Sequence, residues 1–250
     1  MNTKSRIEWT ESTWNPVVGC TKISPGCKHC YAETMARRLQ AMGVPGYEDG
    51  FKSVRLLPAR LNEPRLRKKP TVYFVNSMSD LFHDKVPFSF IDRVVEVMRD
   101  CPWHTFQLLT KRGARMAEYF TARSVPSNVW LGVSVENRRH GMARISELQM
   151  IRARTRFLSI EPLLEDLGVL DLNGIGWVIV GGESGHGARP MEKKWVESIR
   201  VQCRKQRAKF FFKQWGAFGE DGLKRTKKAN GRKLDGRTFD STPRLFQESR

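Results

Sequence analysis

Three cysteines within eleven residues, Cys20, Cys27 and Cys30, form the grouping in this sequence best suited to chemistry. Six residues separate the first pair and two the second. In a reducing compartment, thiolates this close hold a metal or an iron–sulfur cluster more readily than they pair as disulfides. Three thiolates fall one short of a closed structural zinc site. His29 could supply the fourth ligand, although it adjoins Cys30 and neighbouring residues seldom both reach one tetrahedral ion. A cubane cluster normally takes four thiolates, so three would leave one iron open to bind something else. A [4Fe–4S] cluster with an open iron is the favoured reading, with zinc and a redox pair as the alternatives. Cys101 and Cys203 stand singly beside apolar residues and read as small buried hydrophobes.

Further polar groups recur where apolar runs end: Asn76, Ser77, Ser79 and Asp80; Thr110, Lys111 and Arg112; Ser134 and Glu136; Ser159 and Glu161; Glu183 and Ser184; Lys213 and Gln214. Any one such group could simply cap a helix. Six in succession point to one shared site.

To bring them together the chain must alternate strands and helices. Residues 71–76, 105–112, 129–136, 156–162, 177–184 and 209–215 read as strands, and Val17-Val18 reads as the end of another just before Cys20. Continuous apolar runs of this kind are parallel strands covered by helices. Helical spacing appears at residues 31–42 (Met35, Leu39 and Met42), 87–98 (Ile91, Val94, Val95 and Met98), 113–120, 137–150 (Met142, Ile145 and Leu148) and 193–205 (Val196, Ile199 and Cys203). Residues 43–50 are rich in turns, and Pro58, Pro64 and Pro70 argue against a long helix between them. The expected class is α/β: a full or partial (β/α) barrel of about six to seven parallel strands, its strand ends converging on one mouth. Residues 1–216 are assigned to the barrel domain and residues 217–250 to a basic C-terminal extension.

The formal net charge is +18, which favours polyanions, meaning nucleic acid or an anionic lipid surface. Residues 193–250 carry 17 Lys/Arg against 6 Asp/Glu, and residues 52–69 carry 7 against 1. Lys224, Arg225, Lys227 and Lys228 have the charge density for phosphate contacts, against the plainer reading of a solvated basic face. Trp14, Trp215 and Phe218 are candidates for a base-stacking surface, with core packing favoured for Trp215. No apolar run approaches membrane-spanning length, and residues 1–6 lack the apolar region of a signal peptide, so a cytoplasmic protein without membrane contact is expected.

Three cysteines after the first strand of a six-stranded or similar barrel resemble the radical S-adenosylmethionine (SAM) superfamily. The resemblance implies a [4Fe–4S] cluster on Cys20, Cys27 and Cys30, an open iron that chelates the amino and carboxylate groups of SAM, and cleavage of SAM to a 5′-deoxyadenosyl radical. The superfamily loop has three residues between its first two cysteines, against six here, and an aromatic residue where His29 stands. Its Gly-Gly-Glu follows the second strand, whereas Gly181-Gly182-Glu183 comes late in this chain, so that role is not carried over. From end to end the sequence is similar to a phage- and prophage-associated family of unassigned activity that carries this three-cysteine motif. The similarity runs through Trp9-Thr10, Trp14-Asn15-Pro16, residues 76–83, 109–112 and 132–136, Glu161-Pro162, and residues 181–185 and 213–216.

Within that resemblance, Ser77, Ser79 and Asp80 are candidates to meet the amino or carboxylate end of SAM, with capping of a turn as the alternative for Asp80. Glu136 and Glu161 could accept from ribose hydroxyls or an ammonium, or else pair with Lys111, Arg112 or Lys213; Ser134 lies beside them. Gly181 and Gly182, next to Glu183, would let backbone approach a ligand closely, or merely form a turn. His83 and His186 have no evident partner. The basic charge and the phage association point to repair or modification of nucleic acid, DNA being favoured, and admit a protein partner encoded nearby. The alternatives are a zinc-stabilised nucleic-acid-binding protein and a barrel nuclease or hydrolase.

Overall fold

The computed structural model describes residue 5 and residues 7–245; the ends of both assigned segments, residues 1–4 and 246–250, lie outside the described residues, as does residue 6. Nine strands are present among them: β1 (Ser12–Trp14), β2 (Val17–Val18), β3 (Arg55–Leu56), β4 (Val72–Val75), β5 (Thr105–Thr110), β6 (Val129–Ser134), β7 (Thr155–Ile160), β8 (Trp177–Gly181) and β9 (Lys209–Gln214). Seven form one sheet in the order β1-β4-β5-β6-β7-β8-β9, with every neighbouring pair parallel. The order across the sheet never reverses, so the sheet curls into a half-barrel rather than winding in two directions. The α/β class and the partial barrel expected from the sequence are therefore present.

Helices α1 (Tyr31–Ala41), α2 (Glu63–Leu66), α3 (Phe88–Asp100), α4 (Gly113–Thr121), α5 (Arg138–Gln149), α6 (Lys193–Lys205) and α7 (Lys227–Asn230) complete the regular structure. Alternation along each strand sends successive side chains to opposite faces. Val75, Leu108, Val133, Ile160 and Val180 meet Ile91, Val94, Met98, Ile145, Leu148, Val196 and Ile199 of the helices, forming the outer core. The inner face is aromatic: Phe74, Trp130, Phe157, Trp177 and Phe211 gather around Trp9. Trp177 meets Trp130 and Phe211 edge-on, with ring centroids 5.8 and 6.0 Å apart. Such contacts add about 0.5–1.5 kcal/mol each beyond burial, enough to fix the floor of the half-barrel.

Three expectations are corrected. Val17-Val18 does not end a barrel strand: it pairs antiparallel with Arg55-Leu56 in a separate ribbon, and the first barrel strand is β1. The buried residues of α1 are Ala32 and Ala36, whereas Met35 and Met42 are exposed. Small residues are needed there because the helix lies close against the ribbon and Met78. Trp14 is fully buried and its indole N–H donates to the Arg60 carbonyl (2.8 Å), so it cannot stack on a base; Trp215 is fully buried, as favoured, with its indole N–H on the Lys233 carbonyl (2.7 Å).

The C-terminal segment runs along the outer edge of β9. Phe211 bridges Asp240 antiparallel, Phe212 N–H donates to the Phe239 carbonyl, and Leu234 is fully buried. Pairing of this kind covers a strand edge that would otherwise present free backbone groups. No helix among the described residues is long and apolar enough to cross a membrane.

Candidate active site

The cysteine loop leaves β2 and lies across the C-terminal ends of the parallel strands, the end at which barrels and open α/β sheets place their sites. Gly19 makes the departure possible. Its φ is +83°, and a Cβ there would fall 2.1 Å from the Ser53 carbonyl oxygen. A bridge between Gly19 and Ser79 ties the loop to the segment after β4, and Cys20 N–H donates to the Phe51 carbonyl at 2.8 Å. Cys27 ends a short 3-10 turn, and Cys30 is the N-cap of α1 at the positive end of that helix. All three thiols are free and half-buried, while Cys101 and Cys203 are free and buried, as expected of small core residues. Lys22 braces the loop by pairing with Glu33 (2.8 Å) and donating to the Lys28 carbonyl (3.2 Å).

Beneath Cys20 lies a buried ion pair. Asp80 accepts from Phe82 N–H (3.0 Å), the Thr110 hydroxyl (2.7 Å), Lys111 N–H (3.1 Å) and Arg112 Nη1 (3.2 Å). The same Arg112 nitrogen stands 3.7 Å from Cys20 Sγ, and its Nη2 donates to the Thr21 hydroxyl at 3.1 Å. Thr21 Oγ1 is in turn 2.8 Å from His83 Nε2, and His83 Nδ1 accepts from Lys85 N–H, so Nε2 carries the proton and donates. Burial, with the Arg112 charge close by, holds His83 below its ordinary value, consistent with that neutral tautomer. Burial and the negative Asp80 push the Cys20 thiol up to about 11, with Arg112 opposing them.

The other candidates are distributed around this centre. Ser79 donates to the Val17 carbonyl (2.7 Å) and Ser77 to Asn15 Oδ1 (3.2 Å), so both hold the loop to β4. Glu136 is fully buried and takes Arg144 Nη1 at 2.6 Å, next to the Ser134 carbonyl, which accepts from the same nitrogen. It packs under Gly26, close to the cysteine loop. Glu161 pairs with Lys213 at 3.1 Å, half-buried, on the inner side of the sheet. Gly181 and Gly182 do allow close approach, but what approaches is protein. A Cβ at Gly181 would fall 2.4 Å from Glu161 Oε1, and one at Gly182 would fall 1.9 Å from the Trp215 carbonyl oxygen.

Glu183 is clamped by Arg189 through Nη2 (2.6 Å), Nε (2.8 Å) and backbone N–H (2.9 Å), and Arg189 Nη2 also reaches the Pro25 carbonyl at 3.0 Å. The Glu183–Arg189 pair thus anchors the 3-10 turn that carries Cys27. Burial alone would raise Glu183, but the Arg189 bonds outweigh it and hold the carboxyl below 4.5. Glu136 is likewise depressed: burial opposes, and Lys111, the Ser24 hydroxyl and Arg144 prevail. Each group stabilises the fold above pH 4.5 and loses that contribution as pH falls through its lower folded value. The stability of the parent is therefore expected to fall more steeply below pH 4.5 than that of Glu183→Gln, in which this group cannot titrate. Thermal melts over an acid series test this; parallel acid limbs would remove Glu183 from the anchor.

Of the residues expected to bind nucleic acid, Lys224 donates to the His186 carbonyl (2.9 Å), Arg225 pairs with Asp221 (2.6 Å) and Lys227 with Glu8 (3.1 Å), and Lys228 is exposed. Ala217 N–H donates to the Glu183 carbonyl, which places the start of this segment beside the loop that holds the cysteines. Sequence reasoning missed Thr21, Arg144 and Arg189. Arg144 had a signal, since it interrupts the buried face of α5 formed by Gly141, Ile145 and Leu148. Arg189 had none, because it lies in an irregular loop six residues after Glu183 and its other partner, Pro25, is 164 residues away. Among the described residues no three Cys, His, Asp or Glu side chains are gathered around a single metal position.

A family described as "Protein of unknown function (DUF5131)" matches residues 4–243. No curated protein matches the sequence. Among solved structures, the fold is similar to spore photoproduct lyase complexed with dinucleoside spore photoproduct, with a TM-score of 0.44 and 13% identity over 83% of this chain. A mutant of that enzyme with bound AdoMet and dinucleoside spore photoproduct gives a TM-score of 0.43 at the same identity. This chain covers 64% of the length of each.

Proposed function

We propose that this chain, which belongs to the DUF5131 family, is a radical-SAM-like iron–sulfur enzyme that repairs or modifies nucleic acid, with DNA favoured. The observation that carries the reading is the position of three free, half-buried thiols on one loop across the C-terminal mouth of a parallel half-barrel, with the Arg112 guanidinium against one of them. The donor set fits a cluster of the cubane type. Three thiolates satisfy three irons and leave one for a ligand.

Cys20, Cys27 and Cys30 would hold the [4Fe–4S] cluster. When bound, it supplies the electron that cleaves SAM to a 5′-deoxyadenosyl radical able to take a hydrogen from a base or sugar. Arg112 would place positive charge beside the Cys20 sulfur and offset the negative charge of the thiolates. Asp80, whose oxygens already serve four donors, is a positioning residue for Arg112 in this reading rather than a direct SAM ligand. Ser77 and Ser79 hold the loop in place. Glu161 and Lys213, paired and half-buried on the inner side of the sheet, would offer partners to the hydroxyls of a nucleoside resting on the aromatic face, while Ser134, Glu136, Gly181, Gly182 and Glu183 hold the surrounding protein in place. The aromatic floor and Trp9 keep water from the base of the mouth. Lys224, bonded to the His186 carbonyl in the loop that carries Arg189, and the exposed Lys228 would offer charge to a phosphate backbone.

Calorimetry under anaerobic conditions tests the reading. SAM is expected to bind the reconstituted protein, brown from thiolate-to-iron charge transfer, and not the metal-free protein. Full iron and sulfide loading without SAM binding would overturn it, as would tight zinc in place of iron, which would favour a zinc-stabilised nucleic-acid-binding protein.

A further inference from the structure

The start of β9, at the end of the strand opposite the mouth, borders a cleft that the proposed chemistry leaves unused. Arg200 and Arg204 of α6, Lys209 and Phe210 of β9, and Phe239 and Ser241 of the C-terminal segment line it, enclosing about 340 Å³. Of its eight lining residues, which also include Val201 and Ala208, three are cations and none is a carboxylate. The nearest acid to Arg200 is Asp235 at 4.0 Å, and Asp235 is already paired with Lys193 at 2.5 Å. The side chains of Arg204 and Lys209 have no hydrogen-bond or ion-pair partner among the described residues.

Like charges one turn apart on a helix, as Arg200 and Arg204 are, oppose its stability. The negative end of α6 accounts for Arg204 in the last turn, but not for Arg200 in the helix body or Lys209 beyond it. Arg200 is held at the cleft by the Phe239 ring, 5.2 Å from its guanidinium, and its Nε is buried without a partner. Phe239 meets Phe210 edge-on at 5.7 Å. Cations lining one cleft beside an aromatic ring, with a single carboxylate 4.0 Å from Arg200 and none paired with Arg204 or Lys209, match a phosphodiester with its base alongside.

We propose that the cleft between α6 and the C-terminal segment binds backbone phosphates of nucleic acid as a second contact remote from the mouth. Lys209 and Lys213 are four residues apart on β9, so the two contacts are separated by about 13 Å along the strand, a span that one nucleic-acid strand can bridge. The inference rests on the nucleic-acid part of the proposed function but not on the cluster.

The test is fluorescence anisotropy with a labelled single-stranded deoxyoligonucleotide of mixed sequence, using the full chain across a salt series. Each lost phosphate contact lowers the log–log salt slope by about 0.7 on single strands, so Arg204→Gln/Lys209→Gln should lose about 1.4 and bind roughly ten-fold more weakly at low salt. Arg93→Gln/Arg99→Gln, on the exposed side of α3, removes the same charge elsewhere and should change both far less. Equal losses in the two variants would mean net charge alone and overturn the site. Pyrophosphate binding that the cleft variant abolishes, with oligonucleotide affinity intact, would identify a free-anion site and overturn the nucleic-acid assignment. Oligonucleotide binding untouched by the cleft variant sinks the cleft alone, whereas a parent that binds no oligonucleotide sinks the nucleic-acid reading with it.

Discussion

Single replacement of Cys20, Cys27 or Cys30 with Ala is expected to reduce bound iron and sulfide to background after anaerobic reconstitution, and SAM binding with them. Each thiolate is the sole protein ligand of one iron in a three-thiolate cubane, so losing one exposes a second iron and leaves the cluster open to hydrolysis. Cys101→Ala and Cys203→Ala should retain the parent content, because both side chains are sealed in the outer core, away from the loop. Burial also pushes the Cys203 thiol up to about 12, which leaves no reactive thiolate there near neutral pH. Iron and sulfide determinations on all five variants decide the matter. Equal content in the triple Ala variant and the parent would end the cluster assignment. A loss in Cys101→Ala equal to that in Cys20→Ala would indicate general unfolding, and near-ultraviolet circular dichroism on the same samples separates that case.

Asp80→Ala should destabilise the protein by about 3–5 kcal/mol, the usual result of leaving one partner of a buried ion pair uncompensated. Both side chains are almost fully enclosed, 7% exposed for Arg112 and 8% for Asp80, so solvent cannot take over the interaction. Asp80 also holds Phe82, Thr110 and Lys111, and its removal leaves those donors open. Urea unfolding measures the loss. Asp80→Ala/Arg112→Met should recover part of it, since the stranded charge is gone and an apolar chain of similar length fills the space. A stability within about 1 kcal/mol of the parent in Asp80→Ala would show that water reaches Arg112 and that the pair does not position it. The same variant should load less iron than the parent, because Arg112 is then free to leave Cys20.

Some of this site was legible from side-chain types and alternation alone. Polar residues at the ends of β4, β5, β6, β7, β8 and β9 lie at the mouth because parallel strands all point one way. Their individual roles were not legible. Glu136 reads as a ligand-binding carboxylate or a partner of Lys111, Arg112 or Lys213, yet its bonded partner is Arg144, eight residues on, because the turn into α5 brings that helix back over β6. Glu183 reads as part of a ligand-binding glycine motif, yet it clamps Arg189 and, through it, Pro25.

Taken by itself, the sequence determined the class of fold, six of the seven barrel strands and the buried state of Cys101 and Cys203. These follow from local periodicity: runs of four to six apolar residues cannot remain in water and need cover on both faces, which packing under helices provides on at least one. It also determined that three thiols share one loop. Tertiary structure alone decided that the loop springs from a two-stranded ribbon rather than a barrel strand, because pairing of Val17-Val18 with Arg55-Leu56 depends on residues almost forty positions apart. It decided as well that Arg112, and not Lys111 beside it, reaches Cys20. That choice is set by Asp80, whose carboxylate receives the backbone of one and the guanidinium of the other across 31 and 32 residues of chain. Contacts of that separation are fixed by packing of the whole sheet, which no local pattern encodes.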